Sequence, residues 1–231
     1  MTSRFPNGFD GARERIEDQS DRALYEYLQV HICGPYVTDC HPYLSEIKYQ
    51  LQDEGFKRAK LCTDRPETTP THLDKDSLTD QEKQELREFW TEVSYQFLQN
   101  ADVAIFFFLD PTHKRSSLPD RAFREKDSPS DHTHGQHKLT QDPNGSVFAE
   151  LKYWLDQVDA DVRRTMVLFE KSNYDETGSL VTGSVGLEGV HWDTIESNAV
   201  DDGFDAVRSR CINWAMNDCK LRLQDRYYEN Q

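Results

Sequence analysis

ADVAIFFFLD, at positions 101–110, decides the fold of this chain because residues 103–109 form an uninterrupted apolar run. An apolar run without polar alternation indicates a strand covered on both faces, as in the centre of a parallel sheet. The run is far shorter than the ~20 residues that a membrane-spanning helix needs. TMVLF, at positions 165–169, has the same character and predicts a second buried strand.

Segments of helical and strand-like periodicity alternate around this run. In chain order they are a strand at 29–33, a helix at 39–54 ended by Gly55, a strand at 56–62, a helix that begins with a capping box of Thr79 and Glu82, the strand at 101–109, a helix at 145–158, the strand at 165–169, a loop at 171–190 and a C-terminal helix at 201–228. This alternation predicts an α/β protein, a three-layer sandwich with a mainly parallel sheet of four or five strands and helices on both faces.

The chain divides into an N-terminal tail and weak helix, residues 1–28, and a single α/β domain, residues 29–231. A long polar insertion at 110–144 interrupts the domain after the central strand. Ligands of such folds sit at the carboxyl ends of the strands. We therefore expect the chemistry in the loops that follow the first three strands.

The charge of the chain excludes several classes of partner. With 27 basic and 42 acidic side chains, the net charge is −15. Nucleic acids and anionic membrane surfaces bind clustered Lys and Arg, so neither is expected as a partner.

The acidic residues are 25 Asp and 17 Glu against only 11 Lys, which indicates a halophilic protein. An ordinary acidic protein is the alternative.

The expected location is the cytoplasm. The opening segment, MTSRFPNGFDGARERIED, holds no apolar stretch of the kind that a secretory signal needs. The five cysteines are odd in number and include no CxxC pair, which indicates reduced thiols. One of them, Cys33, ends a predicted strand and is interpreted as a buried structural thiol.

Two positions are candidates for chemistry. Gly34 lies in a strand-to-helix turn, where backbone N–H groups can approach a phosphate or sugar closely; the alternative is a plain tight turn. Glu150 falls in the first turn of a predicted helix, on the flank of its apolar face, where its carboxylate can point toward the ligand crevice. The alternative is that Glu150 only complements the helix dipole.

Four segments in this order resemble the nucleoside 2-deoxyribosyltransferase-like family: VHICGPY (30–36), LQDEGF (51–56), ADVAIFFFLD (101–110) and GSVFAELKYWL (145–155). The resemblance implies a Rossmann-like, flavodoxin-like fold and chemistry at an N-glycosidic bond. The segment 146–151 is also faintly similar to TIR-type domains that hydrolyse NAD.

The family resemblance assigns roles to individual residues. It implies that Glu150 is the nucleophile that attacks the anomeric carbon, that Asp142 is the acid that protonates the departing base, and that Tyr36 hydrogen-bonds the Glu150 carboxylate. Asn144 stands where the family usually has its acidic residue. The substrate-binding positions that it implies are Gly34, Pro35, Asp102, Asp110, Asn144 and Gly145.

No metal or organic cofactor is expected. Four histidines lie in the insertion, and three of them have the spacing His-x-His-x-x-His, which can bind zinc. A solvated, mobile loop is the simpler interpretation, and the basic side chains of the insertion offer a third role, attraction of an anionic ligand. These histidines are His113, His132, His134 and His137.

The sequence therefore favours an enzyme that cleaves or exchanges the N-glycosidic bond of a nucleoside, nucleotide or NAD-like compound. The ligand is a small molecule, and the family resemblance suggests a homo-oligomer. One alternative is a non-catalytic module of the same fold that binds a nucleotide and signals by association. Another is a scaffold protein in which the insertion at 110–144 is an interaction loop.

Overall fold

The computed structural model describes residues 28–36, 40–64, 79–113, 118–127, 143–157, 162–178 and 190–195, together with positions 26, 181 and 183. Its strands are Val30–Cys33 (β1), Lys60–Leu61 (β2), Val103–Phe108 (β3), Thr165–Glu170 (β4) and His191–Ile195 (β5). Its long helices are His41–Asp53 (α1), Asp80–Gln99 (α2) and Pro143–Gln157 (α3).

The five strands form one parallel sheet in the order β2-β1-β3-β4-β5. The predicted α/β architecture with a parallel sheet is thereby confirmed. In this strand order the chain leaves β1 toward one side of the sheet and β3 toward the other. Such a switch point opens a crevice at the carboxyl ends of the two strands, where ligands of doubly wound folds bind.

Every residue of β3 is buried, as its apolar run predicts. Successive side chains point to opposite faces of a strand. Ile105 and Phe107 accordingly pack in the same cluster as the apolar face of α1, whereas Phe106 and Phe108 pack with α2 and α3. The described elements form three layers, with α1 on one face of the sheet and α2 and α3 on the other.

The helix boundaries follow local sequence signals. The Thr79 side chain accepts a hydrogen bond from the Glu82 N–H, and the Glu82 carboxylate accepts one from the Thr79 N–H, so the predicted capping box is confirmed. Gly55, with φ 113°, ends α1 as predicted. The N–H groups of Phe56 and Gly55 bond back to the carbonyls of Leu51 and Gln52, which is the Schellman pattern.

Four elements differ from the sequence prediction, one of which is the edge strand β5, which the sequence analysis does not include. The second strand is only Lys60–Leu61, because Phe56 and the residues after it form the turn that closes α1. Helix α3 begins at Pro143, two residues earlier than predicted. Glu150 is its eighth residue and therefore lies at the end of the second turn, not in the first turn as predicted. The predicted loop at 171–190 begins with helical turns over Lys171–Asn173 and Tyr174–Gly178.

Part of the polar insertion is folded against α1. A 3₁₀ helix, Asp120–Asp127, carries Arg121, which pairs with the buried Glu46 at 2.6 Å and with Asp53 at 2.7 Å. Leu118 and Ala122 join the apolar cluster on this face. The expectation of a solvated loop is therefore wrong for residues 118–127, and the Arg121 charge is engaged by carboxylates on the face opposite α3.

Several predictions fall on other parts of the chain. The N-terminal helix before position 26, the C-terminal helix at 201–228, and residues 114–117 and 128–142 of the insertion lie outside the described residues. Among the helices that are described, none has the length and apolar character needed to cross a membrane.

Candidate functional site

Glu150 is a residue of α3, and its side chain is buried on the face of the sheet that α2 and α3 cover. Only 8% of the residue is exposed. No salt bridge joins its carboxyl to any described residue, and its Oε2 atom has no hydrogen-bond partner among them. A helix-dipole role does not fit this position, because the effect falls off beyond the first turn.

Two buried polar side chains lie beside the Glu150 carboxyl. One is Ser94, on α2, and the other is Cys33, the last residue of β1. Both are neutral groups, and the Glu150 Oε2 atom has no hydrogen-bond partner among the described residues.

Burial dominates the electrostatics of Glu150. Removal from water raises its pKa from 4.5 to about 7, against the opposing effect of the neighbouring Ser94 and Cys33 side chains. Near neutral pH the group is therefore present both as carboxylate and as acid. A carboxyl poised in this way can act as a nucleophile when ionised or as a proton donor when protonated.

Cys62 and Ser94 extend the network toward β2. The Cys62 Sγ lies 3.5 Å from the Ser94 Oγ. Either the Cys62 thiol or the Ser94 hydroxyl can donate this hydrogen bond. Cys62 follows β2 directly, so three elements of the fold converge on the Glu150 carboxyl.

Tyr36 lies beside this network with its hydroxyl engaged elsewhere. The hydroxyl donates to the Ile32 carbonyl at 2.9 Å and accepts from the Cys62 N–H at 3.2 Å. The hydrogen bond from Tyr36 to Glu150 that the family resemblance implies is thus replaced by two bonds to backbone groups. These bonds fasten the turn after β1 to the end of β2.

Gly34 and Pro35 are buried in the turn after β1. A Cβ atom on Gly34 would lie 2.7 Å from Leu44 Cδ1 and 3.4 Å from Phe107 Cβ. The absence of a side chain therefore lets α1 pack closely against the β1 end. This supports the tight-turn interpretation of Gly34 and places the turn next to Cys33 and its contact with Glu150.

Asp110 and Asn144 both lie at the carboxyl end of β3. The Asn144 amide donates to the Leu109 carbonyl at 3.0 Å, and Gly145 follows it in the first turn of α3. The Asp110 carboxylate accepts from the Thr112 hydroxyl at 2.6 Å, and this bond above all holds the pKa of Asp110 below its ordinary value. An ionised carboxylate therefore stands at the carboxyl edge of the sheet.

Asp102 does not join the site. It precedes β3 at the amino edge of the sheet, where its carboxylate accepts from the Gln29 N–H at 3.0 Å and its carbonyl accepts from Arg164 at 2.7 Å. The six residues of β3 separate it from the carboxyl edge, about 20 Å at strand spacing. Its role is to align the starts of β1 and β3. Asp142, the implied acid, lies outside the described residues.

Metal binding is not supported within the described part of the chain. No group of three or more His, Cys, Asp or Glu side chains there is arranged to hold an ion. The histidines of the His-x-His-x-x-His segment lie outside that part.

Sequence reasoning missed Ser94 and the role of Cys33. Ser94 lies on the buried stripe of α2 that also carries Leu86, Val93 and Phe97. A small polar residue on an apolar stripe is the signal that could have identified it, since a buried hydroxyl needs a partner.

Comparison with known proteins finds no relative of this chain. No family model matches it, and neither a curated protein nor a solved structure does.

Proposed function

We propose that this chain cleaves or exchanges the N-glycosidic bond of a nucleoside, nucleotide or NAD-like compound, with Glu150 as the nucleophile. The observation that carries the proposal is the Glu150 carboxyl itself. It is buried, unpaired by any described cation, and has an Oε2 atom without a partner. An unpaired buried carboxyl costs folding free energy, and such groups cluster at functional sites.

The chemistry uses the ionised form of Glu150. One carboxylate oxygen forms a bond to the anomeric carbon while the bond from that carbon to the base nitrogen breaks, and the base leaves with the electron pair and takes up a proton. Water or a second base then attacks the same carbon and releases Glu150. This is the double displacement of retaining glycosidases, applied to a C–N bond.

A second carboxylate, that of Asp110, suits a sugar ligand. Asp110 is ionised at the same edge of the sheet, where it can accept hydrogen bonds from ribose hydroxyl groups. No cofactor takes part in the proposed reaction. A cytoplasmic location and assembly into a homo-oligomer belong to the proposal as expectations from the sequence.

One observation favours a second candidate, a module that binds a nucleotide without cleaving it. Asn144 occupies the position of the family's acidic residue, and its amide is bound to the Leu109 carbonyl. An amide in that place cannot protonate a departing base. If Asp142 does not supply the proton, binding without turnover follows.

The test is release of free base in concentrated KCl from deoxynucleosides, nucleoside monophosphates and NAD. Glu150→Gln should abolish release. Glu92→Gln makes the same change on the exposed surface of α2, where Glu92 only accepts from Gln96, and should leave release intact. Release that survives in Glu150→Gln contradicts the assignment, and ligand-induced thermal stabilisation without release supports the binding module.

A further inference from the structure

The Glu150 carboxyl has no compensating cation among the described residues. It is buried, and its Oε2 atom has no hydrogen-bond partner there. Lys152, the basic residue of α3, pairs with Asp156 on the exposed surface of that helix, and Lys48 of α1 pairs with Asp64 at 2.9 Å. A buried carboxylate without a cation is costly, so a ligand that brings a positive charge to it gains binding free energy.

The leaving group faces a related constraint. A neutral base must take up a proton as it departs. Asn144 stands where the family resemblance implies an acid, but its amide donates to the Leu109 carbonyl at 3.0 Å, and an amide cannot protonate a base. A base whose glycosidic nitrogen already carries a positive charge departs as a neutral molecule and needs no acid.

We propose that the site selects N-glycosides whose base is positively charged, such as pyridinium ribosides, over neutral nucleosides. The substrate class rests on the proposed function, with Glu150 as the nucleophile; the preference of the site for a cationic ligand does not.

The reaction of such a substrate balances without a proton donor. The Glu150 Oε2 atom forms a bond to the anomeric carbon while the bond from that carbon to the ring nitrogen breaks. Both electrons of the broken bond go to the nitrogen and cancel the positive charge of the base. Water then attacks the anomeric carbon, releases the Glu150 carboxylate and gives one proton to the solvent.

The electrostatics of the chain support a cationic ligand. Burial raises the pKa of Glu150 to about 7, and a positive charge beside the carboxyl favours the ionised form that attacks. Asp110 adds an ionised carboxylate at the carboxyl edge of the sheet, and the net charge of the chain is −15. The field of the protein therefore attracts cations.

The reaction test compares substrates of the same shape and different charge. Nicotinamide riboside is cationic, whereas its reduced form is neutral; guanosine methylated on its imidazole ring and guanosine form a second pair. Base release in concentrated KCl is divided by the uncatalysed release in the same buffer. This ratio should be at least about a hundredfold larger for the charged member, because only the neutral member needs general acid catalysis, which contributes about a hundredfold or more.

A binding test separates the preference for charge from turnover. Nicotinamide methylated on its ring nitrogen has the charge but no glycosidic bond, and nicotinamide is its neutral control. At about pH 8, where Glu150 is mostly ionised, calorimetry should show that the methylated compound binds more tightly than nicotinamide. Glu150→Gln should lower its affinity at least about tenfold. Glu92→Gln, on the exposed surface of α2, should leave the affinity unchanged.

Salt distinguishes the buried carboxyl from the acidic surface. Binding that depends on Glu150 should persist at about 1 M KCl, whereas attraction to exposed carboxylates is screened there. Binding that is absent, that disappears at this salt concentration or that is unchanged in Glu150→Gln overturns the preference for a cationic ligand.

The two tests can fail independently. Equal ratios for the charged and neutral substrates, with release lost in Glu150→Gln, overturn the selected substrate class and leave the proposed function in place. If the methylated compound binds in a Glu150-dependent way but no glycoside releases base, the preference for a cationic ligand stands and the proposed function fails.

Discussion

The thiol of Cys33, at the end of β1, lies beside the carboxyl of Glu150, in the second turn of α3. The two residues are 117 positions apart in the chain, and only the parallel sheet brings them together. The contact joins the turn after the first strand to the helix after the central strand. It lies on the α2/α3 face, near the switch point between β1 and β3.

The first prediction concerns stability against pH. Below about pH 4.5, Glu150 is protonated in both the folded and the unfolded chain. Between about pH 4.5 and about pH 7, Glu150 loses its proton in the unfolded chain but keeps it in the folded chain. The folded state then binds more protons, so stability falls as pH rises through this window. The loss is on the order of 3 kcal/mol.

Denaturant unfolding at a series of pH values measures this effect. Glu150→Gln lacks the titrating group, so its stability relative to the unmodified protein should increase between about pH 4 and about pH 8. Glu92→Gln should show no such increase. A constant difference between Glu150→Gln and the unmodified protein across this range would mean that Glu150 is not a buried, unpaired carboxyl.

The second prediction concerns the packing of Gly34. Gly34→Ala places a Cβ against the Leu44 side chain and should cost about 1–3 kcal/mol of folding stability. Leu44→Val removes the Cδ atoms that clash, so the alanine should cost less in that background. A double-mutant cycle on unfolding free energies measures the coupling, and strict additivity would show that the two residues do not collide.

The third prediction concerns the Tyr36 hydroxyl. Tyr36→Phe removes the acceptor of the Cys62 N–H and the donor to the Ile32 carbonyl. Leaving these groups without partners should cost about 1–3 kcal/mol of unfolding free energy. Tyr153→Phe, which loses only an exposed contact with Gln99, is the control and should cost less. Equal losses of unfolding free energy in the two variants would show that the Tyr36 hydroxyl does not stabilise the turn after β1.

The fourth prediction concerns salt. The net charge of −15 means that the acidic side chains repel one another. Salt screens this repulsion, and the Debye length falls from about 10 Å at about 0.1 M salt to about 3 Å at about 1 M. The melting temperature, followed by calorimetry, should therefore rise as KCl increases over this range. A melting temperature that is already maximal at low salt would favour an ordinary acidic protein over a salt-adapted one.

The sequence predicts the core of the fold because its signals are local. The run in β3, the capping box at Thr79 and the stop at Gly55 each depend on neighbours within a few residues. The edge strand β5 was missed, since HWDTI is half exposed and carries no apolar run. The pairing of β5 with β4 is a tertiary contact, which a local sequence pattern does not predict.

The site is only partly predictable for the same reason. Its position in a predicted helix and the family resemblance made Glu150 a candidate, but its burial depends on α2 and on the ends of two strands. The bonds of Tyr36 to Ile32 and Cys62 form only after β1 and β2 pair. Ser94, a serine on the apolar stripe of α2, was the sequence signal of the polar groups around Glu150. Its spacing in the sequence does not show which residues it contacts.

The most direct test of the central claim is the rate of base release as a function of pH, in concentrated KCl, for the unmodified protein and Glu150→Gln. If Glu150 attacks as a carboxylate, the rate of the unmodified protein should rise with pH to a plateau, with its midpoint at about 7, and Glu150→Gln should release no base. A rate that falls across this range, or release that persists in Glu150→Gln, would contradict the nucleophilic role.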